Sequence, residues 1–382
     1  MRTALRTHGR TIVSLCLAFL ALAITGPVLT ALGLMHAVAV GSPSVALGGV
    51  VGASVLTLVD WAKRLEPEGG VTTDIVEMLS ITNEVLLDML WLEGNLPTGH
   101  RTTLRTGLPA VYFRLLNQGV QPSKSTTAQI DEATAKLEAW SEVDKALADL
   151  SGDVNAFRFS EALAFIEAMN QQMATSLFYG NSGTAPEQFT GLAPRYAAIS
   201  GATNKQNVLD AGGRANVNSS IWLVLWGRNT FHGIFPKGTQ AGLQHHDHGE
   251  ETAETSATIG GTRLRVYRDQ FIWDAGVCLR DWRYVVRIAN IDTTNLVAEA
   301  SAANIIKFMI KALHKVPTFG LGRAVLYMNR TLFECLDIQR FEAVQTGGQL
   351  RYAEVDGIMT PMFRGVPIRR SDALLNTEAT VS

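Results

Sequence analysis

One long helical pattern constrains the fold of this chain more than any other sequence feature. Apolar residues recur at spacings of three and four, which places them on one helix face: Phe159, Ala162, Leu163, Ile166, Met169, Met173 and Leu177. Asp153 suits the N-cap position, and Gly180 lies where a glycine often ends a helix. A helix over residues 153–177 is roughly 37 Å long. A Gly- and Asn-rich turn follows, so we expect a rigid strut ending in an ordered loop; a plain core helix is the alternative.

A second helical pattern directly precedes the first. Thr126 and Gln129 have the spacing of a capping box. An apolar stripe at helical spacing follows them: Ile130, Ala133, Leu137, Trp140, Val143 and Leu147. Two consecutive long helices joined through Ser151 and Gly152 would form a backbone against which β elements pack.

The other patterns mix strands and helices without a regular alternation. Residues 220–226 are a continuous apolar run, typical of a strand buried on both faces. Residues 101–106 and 110–116 are predicted to form an exposed hairpin of two strands around a turn at 107–109. Further strands are predicted at 263–271, 282–289, 324–328, 350–355 and 360–370, and further helices at 73–92, 294–314 and 331–336. This mixed order predicts the α+β class.

Charged residues are scarce in this chain. They make up 18% of its 382 residues, against roughly 25% in an average protein. Low charge is consistent with a surface that is partly covered by other subunits. The slightly acidic balance argues against a dedicated nucleic-acid-binding protein, which would carry a basic stripe. Cys16, Cys278 and Cys335 do not form a disulfide framework, so we expect reduced thiols and a cytoplasmic compartment.

The N-terminus has a character of its own. Arg2, Arg6 and Arg10 precede a run over residues 11–59 that contains no Asp, Glu, Lys or Arg. Taken alone, this pattern indicates a secretory signal peptide or a membrane anchor. However, Gly26-Pro27 interrupts the apolar run, which also continues past the small residues at 37–39. A third interpretation is that the true start codon lies further in, near Val50 or Val51.

One cluster carries side chains that ligate metals: His245, His246, Asp247 and His248, followed by Glu250 and Glu251. These residue types bind zinc and similar ions. The cluster lacks the pair of histidines at i and i+4 that shares one helix face. Because glycines surround it, we expect an exposed loop without function. A metal hydrolase built on this loop is the alternative.

Motifs of catalysis and of nucleotide binding do not occur in the sequence. It contains no Gly-x-Ser-x-Gly elbow, no Walker loop, no Gly-x-Gly-x-x-Gly and no Cys-x-x-Cys. Asp281 beside Arg280 and Arg283 is interpreted as a surface ion pair. We therefore expect no enzymatic activity, no catalytic or cofactor-binding residues, no metal and no cofactor.

Several long segments of the chain resemble one family. They are TLVDWAKRLEPEGG and its continuation over residues 57–109, LLNQGVQPSKSTTAQIDEATAKLEAWSEVD at 115–144, and RDWRYVVRIANID at 280–292. These strings resemble the major capsid proteins of short-tailed, podovirus-like phages of the Bordetella type. The resemblance runs from about residue 55 to near the C-terminus. It has no counterpart for the Arg-plus-apolar leader, which favours the internal start.

The resemblance implies the tailed-phage major capsid fold. On that basis residues 1–50 are a leader outside the mature protein, and 51–97 form the N-terminal arm. Residues 98–122 form the extended hairpin loop, 123–200 the peripheral domain with its long spine helix, 201–316 the axial domain, and 317–382 the closing strands that return to the peripheral domain.

The resemblance also implies a mechanical role. The subunit would assemble with itself into hexamers and pentamers of an icosahedral shell that encloses double-stranded DNA without sequence-specific binding. Scaffold, portal and decoration proteins are further candidate partners. We expect assembly in the host cytoplasm, location in the virion capsid and no membrane association. The alternative is a membrane-anchored or exported binding protein with an N-terminal signal.

Overall fold

The structure is a computed structural model that describes residues 83–214, 216–254, 263–297, 304–343, 350–355 and 358–382. The expected leader at 1–50 and residues 51–82 of the expected arm lie outside this part of the chain. Among the described residues of the predicted helix 73–92, only a short helix forms, and Trp91 belongs to a strand. The helix prediction is therefore wrong at its C-terminal end.

Helices and strands are both abundant, which confirms the α+β class. The helices are α1 (Val85–Asp88), α2 (Lys145–Leu150), α3 (Val154–Tyr179), α4 (Leu192–Arg195), α5 (Thr293–Val297), α6 (Ile305–Lys315) and α7 (Arg330–Ala343). The strands are β1 (Trp91–Glu93), β2 (Gly99–Gly107), β3 (Thr126–Asp144), β4 (Val208–Asp210), β5 (Asn218–Trp226), β6 (Phe231–Phe235), β7 (Gln244–Glu254), β8 (Arg263–Leu279), β9 (Val285–Asp292), β10 (Arg323–Met328), β11 (Leu350–Val355), β12 (Ile358–Phe363) and β13 (Val366–Arg370).

The chain divides into two compact units. The described part of the smaller unit comprises Glu142–Val154 together with most of Gly249–Arg268. Its ion pairs are internal: Lys145 Nζ lies 2.7 Å from Glu250 Oε1, and Arg268 lies 2.6 Å from carboxylate oxygens of both Glu142 and Glu251. The larger unit holds the remaining described residues.

Strand β5 lies at the centre of the larger unit. It pairs antiparallel with β9 along one edge and with β10 along the other. All nine of its residues are buried, as expected for the apolar run at 220–226. Beyond β10 the sheet continues through β13, β12 and β11. At its C-terminal end β5 also pairs with β6, and from β6 the sheet continues through β8, β3 and β2.

The two faces of β5 supply two separate hydrophobic cores. Because side chains alternate along a strand, Trp222, Val224 and Trp226 enter one core while Ile221, Leu223 and Leu225 enter the other. The tryptophan face packs against the C-terminal end of α3 and the turn that follows it. The leucine face packs against α6 and α7. The sheet is therefore a layer with helices on both sides.

The C-terminal tail, which follows β13, is bound to the tryptophan-side core through buried polar groups. Arg287 and Glu378 are both almost fully buried, and Nη2 of Arg287 lies 2.8 Å from Oε2 of Glu378. Tyr179 and Ser220 donate short hydrogen bonds to the same carboxylate. The backbone nitrogen of Glu378 donates to Asn218 O at 2.9 Å. These contacts join the tail to α3, β5 and β9.

The predicted second helix at 126–147 is wrong over most of its length. Residues 126–144 form strand β3, and a helix begins only at Lys145. The physical reason is visible in the pattern from 133 to 143, where apolar or small residues occupy every odd position. That period of two fits a strand. Pairing with β2 over residues 126–133 and with β8 supplies partners for its backbone groups.

The remaining predictions of secondary structure fare better. The strands at 263–271, 324–328, 350–355 and 360–370 are confirmed. The helix at 331–336 is confirmed as the longer α7. The helix at 294–314 appears as α5 and α6, with residues 298–303 between them outside the described part of the chain. The strand at 282–289 begins as a 3-10 turn and becomes strand only at Val285.

Substitution of Glu378 by Ala should destabilise the subunit strongly. It leaves the Arg287 guanidinium buried without its charge partner, a change that costs about 3–5 kcal/mol in comparable buried pairs. Equilibrium urea unfolding of the unassembled subunit measures the loss. Arg330→Ala is the matched control, since Arg330 forms an ion pair with Asp372 in the same region but its side chain is 70% exposed. That control should cost at most about 1 kcal/mol; equal losses in the two variants would contradict the role of the buried pair.

Substitution of Gly191 by Ala should destabilise the subunit by weakening the packing of the turn against the end of α3. An added Cβ would lie 2.6 Å from the carbonyl oxygens of both Ser176 and Leu177. Relief of such a backbone clash costs about 1–3 kcal/mol, measured by the same urea titration. Gly183→Ala, in the same turn, would meet only a side-chain oxygen at 3.2 Å. We expect that control to change stability by less than about 0.5 kcal/mol.

Candidate assembly surfaces

The hairpin formed by β2 and β3 is the most exposed part of the described chain. Its arms are antiparallel, with Thr102 opposite Ile130. Arg101 binds Asp131 through two parallel hydrogen bonds of 2.6 Å, one from Nε and one from Nη2. The hydrogen bond from Arg101 lowers the pKa of the Asp131 carboxyl. The base of the hairpin is therefore fixed by its ladder and by a charge-assisted pair.

The tip of this hairpin comprises residues 108–124. Every one of its residues is exposed, although several carry large apolar side chains: Leu108, Val111, Tyr112, Phe113, Leu115, Leu116 and Val120. Val111 and Leu116 are 88% and 89% exposed. Ser123 Oγ donates to Ala110 O at 2.6 Å across the tip. Soluble proteins seldom present so many adjacent apolar side chains to water unless another molecule covers them.

The structure corrects one expectation about this hairpin. Residues 110–116 were expected to form its second strand, but no strand occurs there. The partner of β2 is β3, so the predicted second strand belongs instead to the tip. Pro109 explains the difference in part, because proline has no N–H group to donate to a ladder.

Helix α3 confirms the predicted strut, but its apolar stripe is only half buried. Toward the C-terminal end, Met169, Met173 and Leu177 are buried, as predicted. Toward the N-terminal end, Phe159, Leu163 and Ile166 are exposed, with Phe159 64% accessible. A plain core helix, the alternative to the strut, therefore does not describe this end of α3. The exposed half offers a second apolar surface.

The exposed half of α3 is held to two strands by Arg158, whose side chain is mostly buried. Arg158 Nη2 lies 2.8 Å from Asp269 Oδ1 on β8 and 2.6 Å from Asp247 Oδ1 on β7. Burial alone would lower the pKa of Arg158, but its hydrogen bonds to Asp247 and Asp269 outweigh burial and raise it. The guanidinium thus stays charged and fixes the helix at this point.

The turn after α3 is ordered, as the sequence predicts. Gly191 N donates to Gly180 O at 2.8 Å, and the side chains of Phe189, Leu192 and Tyr196 are buried. Arg195 binds both oxygens of Glu132 at 2.6 Å. Since Glu132 belongs to β3, this bidentate pair links the turn to the hairpin.

The histidine cluster at 245–248 lies in strand β7 and not in the loop that was predicted. His245 Nε2 lies 2.9 Å from Asp269 Oδ1, and its ring stacks on Phe271 with centroids 4.9 Å apart. His248 Nε2 lies 3.0 Å from Gln270 Oε1. Side chains alternate between the two faces of a strand. His245 and His248 are three positions apart, so their imidazoles lie on opposite faces. The absence of a metal at this cluster stays a prediction.

One open cavity of about 660 Å³ occurs near the end of α6. Leu313, His314, Phe319, Arg364 and Val366 help to line it. Among the described residues that line this cavity there is no Asp, Glu, Ser or Cys. The lining therefore offers no carboxylate, hydroxyl or thiol group for catalysis.

Over the described ranges, no helix combines the length and the apolar character that a membrane crossing requires. The membrane-anchored or exported alternative depended on residues 1–50, which the described part of the chain does not include.

Asp281 forms the expected ion pair with Arg283, at 2.6 Å.

Comparison with known proteins identifies relatives of this chain. The family model described as major capsid protein GP7 matches residues 66–382. A chain in the cryo-EM structure of bacteriophage epsilon15 is 36% identical with a TM-score of 0.69, and the match covers 87% of this chain and 99% of that one. A comparison with curated proteins finds no match.

Two more distant structures also align. The SrpI encapsulin from Synechococcus elongatus PCC 7942 is 11% identical with a TM-score of 0.41, covering 62% of this chain and 97% of that one. The capsid of the Myoviridae phage XM1 is 10% identical with a TM-score of 0.39, covering 62% and 99%. The resemblance to tailed-phage capsid proteins is confirmed by the family model and by the epsilon15 match. This chain belongs to the GP7 family of major capsid proteins, and it is a shell-forming structural subunit of a tailed-phage capsid.

Proposed function

We propose that the hairpin of β2 and β3 is the arm through which one subunit grips the next in the shell. The observation that carries this proposal is the apolar tip at 108–124, which is wholly exposed in the single subunit. Burial of each large apolar side chain on a neighbour contributes roughly 1.5–3 kcal/mol. A tip of this size therefore supplies a strong association energy once it is covered.

The geometry of the hairpin favours contacts between unlike surfaces. A tip on one subunit must find a different surface on its neighbour, and such heterologous contacts generate rings when the rotation closes. Hexamers and pentamers of an icosahedral shell are rings of this kind. The ion pairs Arg101–Asp131 and Arg195–Glu132 hold the arm rigidly, which reduces the entropy lost on docking.

We assign the exposed half of α3 to a second contact surface. Its side chains Phe159, Leu163 and Ile166 lie in one helical row. On this assignment α3 is the spine helix of a peripheral domain at 123–200. Residues 201–316 are then the axial domain, and 317–382 are the strands that return from it. Residues 51–97 are the N-terminal arm and 1–50 a leader outside the mature protein.

The proposed role is mechanical and not enzymatic. The shell encloses double-stranded DNA without sequence-specific contacts, in keeping with a chain whose formal net charge is only −2. Scaffold, portal and decoration proteins are the further partners of such a shell, and assembly takes place in the host cytoplasm. Low charge favours extensive contact between subunits, since charged residues are depleted at the centres of interfaces.

Substitution of three tip residues by serine, in the variant V111S/F113S/L116S, tests the proposed arm. All three side chains are exposed, so the thermal unfolding temperature of the unassembled subunit should change little. Assembly should fall sharply, because the apolar contact with the neighbour is lost. Sedimentation velocity and negative-stain microscopy measure the fraction of subunits in particles.

The matched control is the variant Q118S/Q121S, which changes two exposed polar residues of the same tip. It should assemble as the unmodified chain does. Normal particles from the triple variant would refute the contact role of the tip. Loss of assembly together with a lowered unfolding temperature would instead show that the tip stabilises the single subunit, which also contradicts the proposal.

A further inference from the structure

Three side chains with metal-ligating atoms meet inside the larger unit. They are His100 at the start of β2, His232 in β6 and Cys278 in β8. One ligand atom from each residue lies within 4.8 Å of the other two. His232 and Cys278 are almost completely buried, while His100 is half-buried. The three residues lie more than 40 positions apart in sequence, so no local motif announces them.

Backbone geometry explains why these three residues converge. His232 and Cys278 are directly opposite each other in the antiparallel pair of β6 and β8, so their side chains share one face. The chain passes from β1 to β2 through a tight turn that is bound to the end of β6. In that turn Gly94 N donates to Phe235 O at 2.8 Å. His100 is therefore delivered to the same face.

The site contains polar atoms whose hydrogen-bonding capacity is not used. Nδ1 of His232 is fully buried and makes no hydrogen bond of ordinary geometry among the described residues, although the Gly227 backbone interacts with the ring and raises its pKa against the lowering effect of burial. The Thr102 hydroxyl, also buried, approaches the Cys278 thiol without a hydrogen bond of ordinary geometry. Buried groups of this kind are rare and call for an explanation, of which an ion is one.

We propose that His100, His232 and Cys278 bind a divalent transition metal of the zinc class. Two imidazole nitrogens and one thiolate match the preference of Zn²⁺ for nitrogen and sulfur ligands. Water supplies the fourth position from the half-buried side of His100. On binding, the Cys278 S–H bond breaks, a Zn–S bond forms, and the thiol proton leaves to solvent.

Binding of a metal requires the three ligands to move together. Metal–ligand bonds of 2.0–2.3 Å place neighbouring ligand atoms about 3.5 Å apart, so the cluster must contract by roughly 1 Å. Asn95 N donates a long hydrogen bond of 3.3 Å to Nδ1 of His100 in the metal-free subunit. The positive charge of Arg280 opposes a cation here, while the carboxylate of Glu132 favours one.

The bound metal would act as a staple at the base of the hairpin. It joins β2, which carries one arm of the hairpin, to β6 and β8, which are not its hydrogen-bonded neighbours in the sheet. A ligand that binds only the folded state stabilises that state. The ion would therefore stabilise the contacts between the base of the hairpin and strands β6 and β8, and so fix the direction of the arm. Burial raises the pKa of the Cys278 thiol to about 12, so loss of its proton is a cost that the metal–thiolate bond must offset.

The test uses the full-length unassembled subunit with Zn²⁺ and Co²⁺ as probes. Metal analysis after dialysis should give one Zn²⁺ per subunit, and the Co²⁺ form should show thiolate-to-metal charge-transfer absorption. His100→Ala and Cys278→Ser should each weaken Zn²⁺ binding by about 100-fold or more, at least the upper end of what loss of an outer-shell partner costs. Competition with a chromophoric chelator measures the change.

Two control variants make the outcomes decisive. Cys335→Ser alters the other buried cysteine and should leave Zn²⁺ affinity unchanged. His246→Ala changes a residue of the histidine cluster in β7 and should also leave the Zn²⁺ affinity unchanged. Absence of stoichiometric Zn²⁺, unchanged affinity in Cys278→Ser, or a loss confined to His246→Ala would each overturn the proposal. A lowered affinity in Cys335→Ser equal to that in Cys278→Ser would do so too.

Discussion

The burial of β5 on both faces is the constraint on which the rest of this fold depends. A strand with no exposed residue must have hydrogen-bonded neighbours along both edges and apolar layers against both faces. Here β9 and β10 supply the edges. Helices α6 and α7 cover one face, and the end of α3 with its turn covers the other. Remote parts of the sequence are thereby brought to fixed positions around one strand.

The polar groups near this strand reinforce the same arrangement. Trp226 Nε1 donates to the Tyr327 hydroxyl at 2.7 Å, and that hydroxyl donates to Asp88 at 2.9 Å. On the neighbouring strand, the Arg287–Glu378 pair closes the C-terminal tail over the core. Such networks are costly when incomplete and specific when satisfied. They give the apolar layers a unique alignment that hydrophobic burial alone would not impose.

Sequence patterns predicted the central elements because one signal dominated each of them. For strand β5 the signal is a short continuous apolar run, and for helix α3 it is an apolar stripe at spacings of three and four. By contrast, β3 is rich in Ala and Glu, which favour helices, and its apolar residues fit both periods. Pairing with β2 and β8 decided the matter, and no local window contains that information. The partner of β2, the exposed half of α3 and the convergence of His100, His232 and Cys278 depend in the same way on contacts between distant segments.

The absence of strand structure from the hairpin tip has a consequence for the subunit before it assembles. A long apolar segment that is extended and edge-exposed invites other chains to add to it as further strands. In the tip, Pro109 and Pro122 withhold N–H donors at both ends, and Asn117 adopts a positive φ of 61° that interrupts any extended run. The tip can therefore offer side chains for recognition while its backbone is a poor template for aggregation.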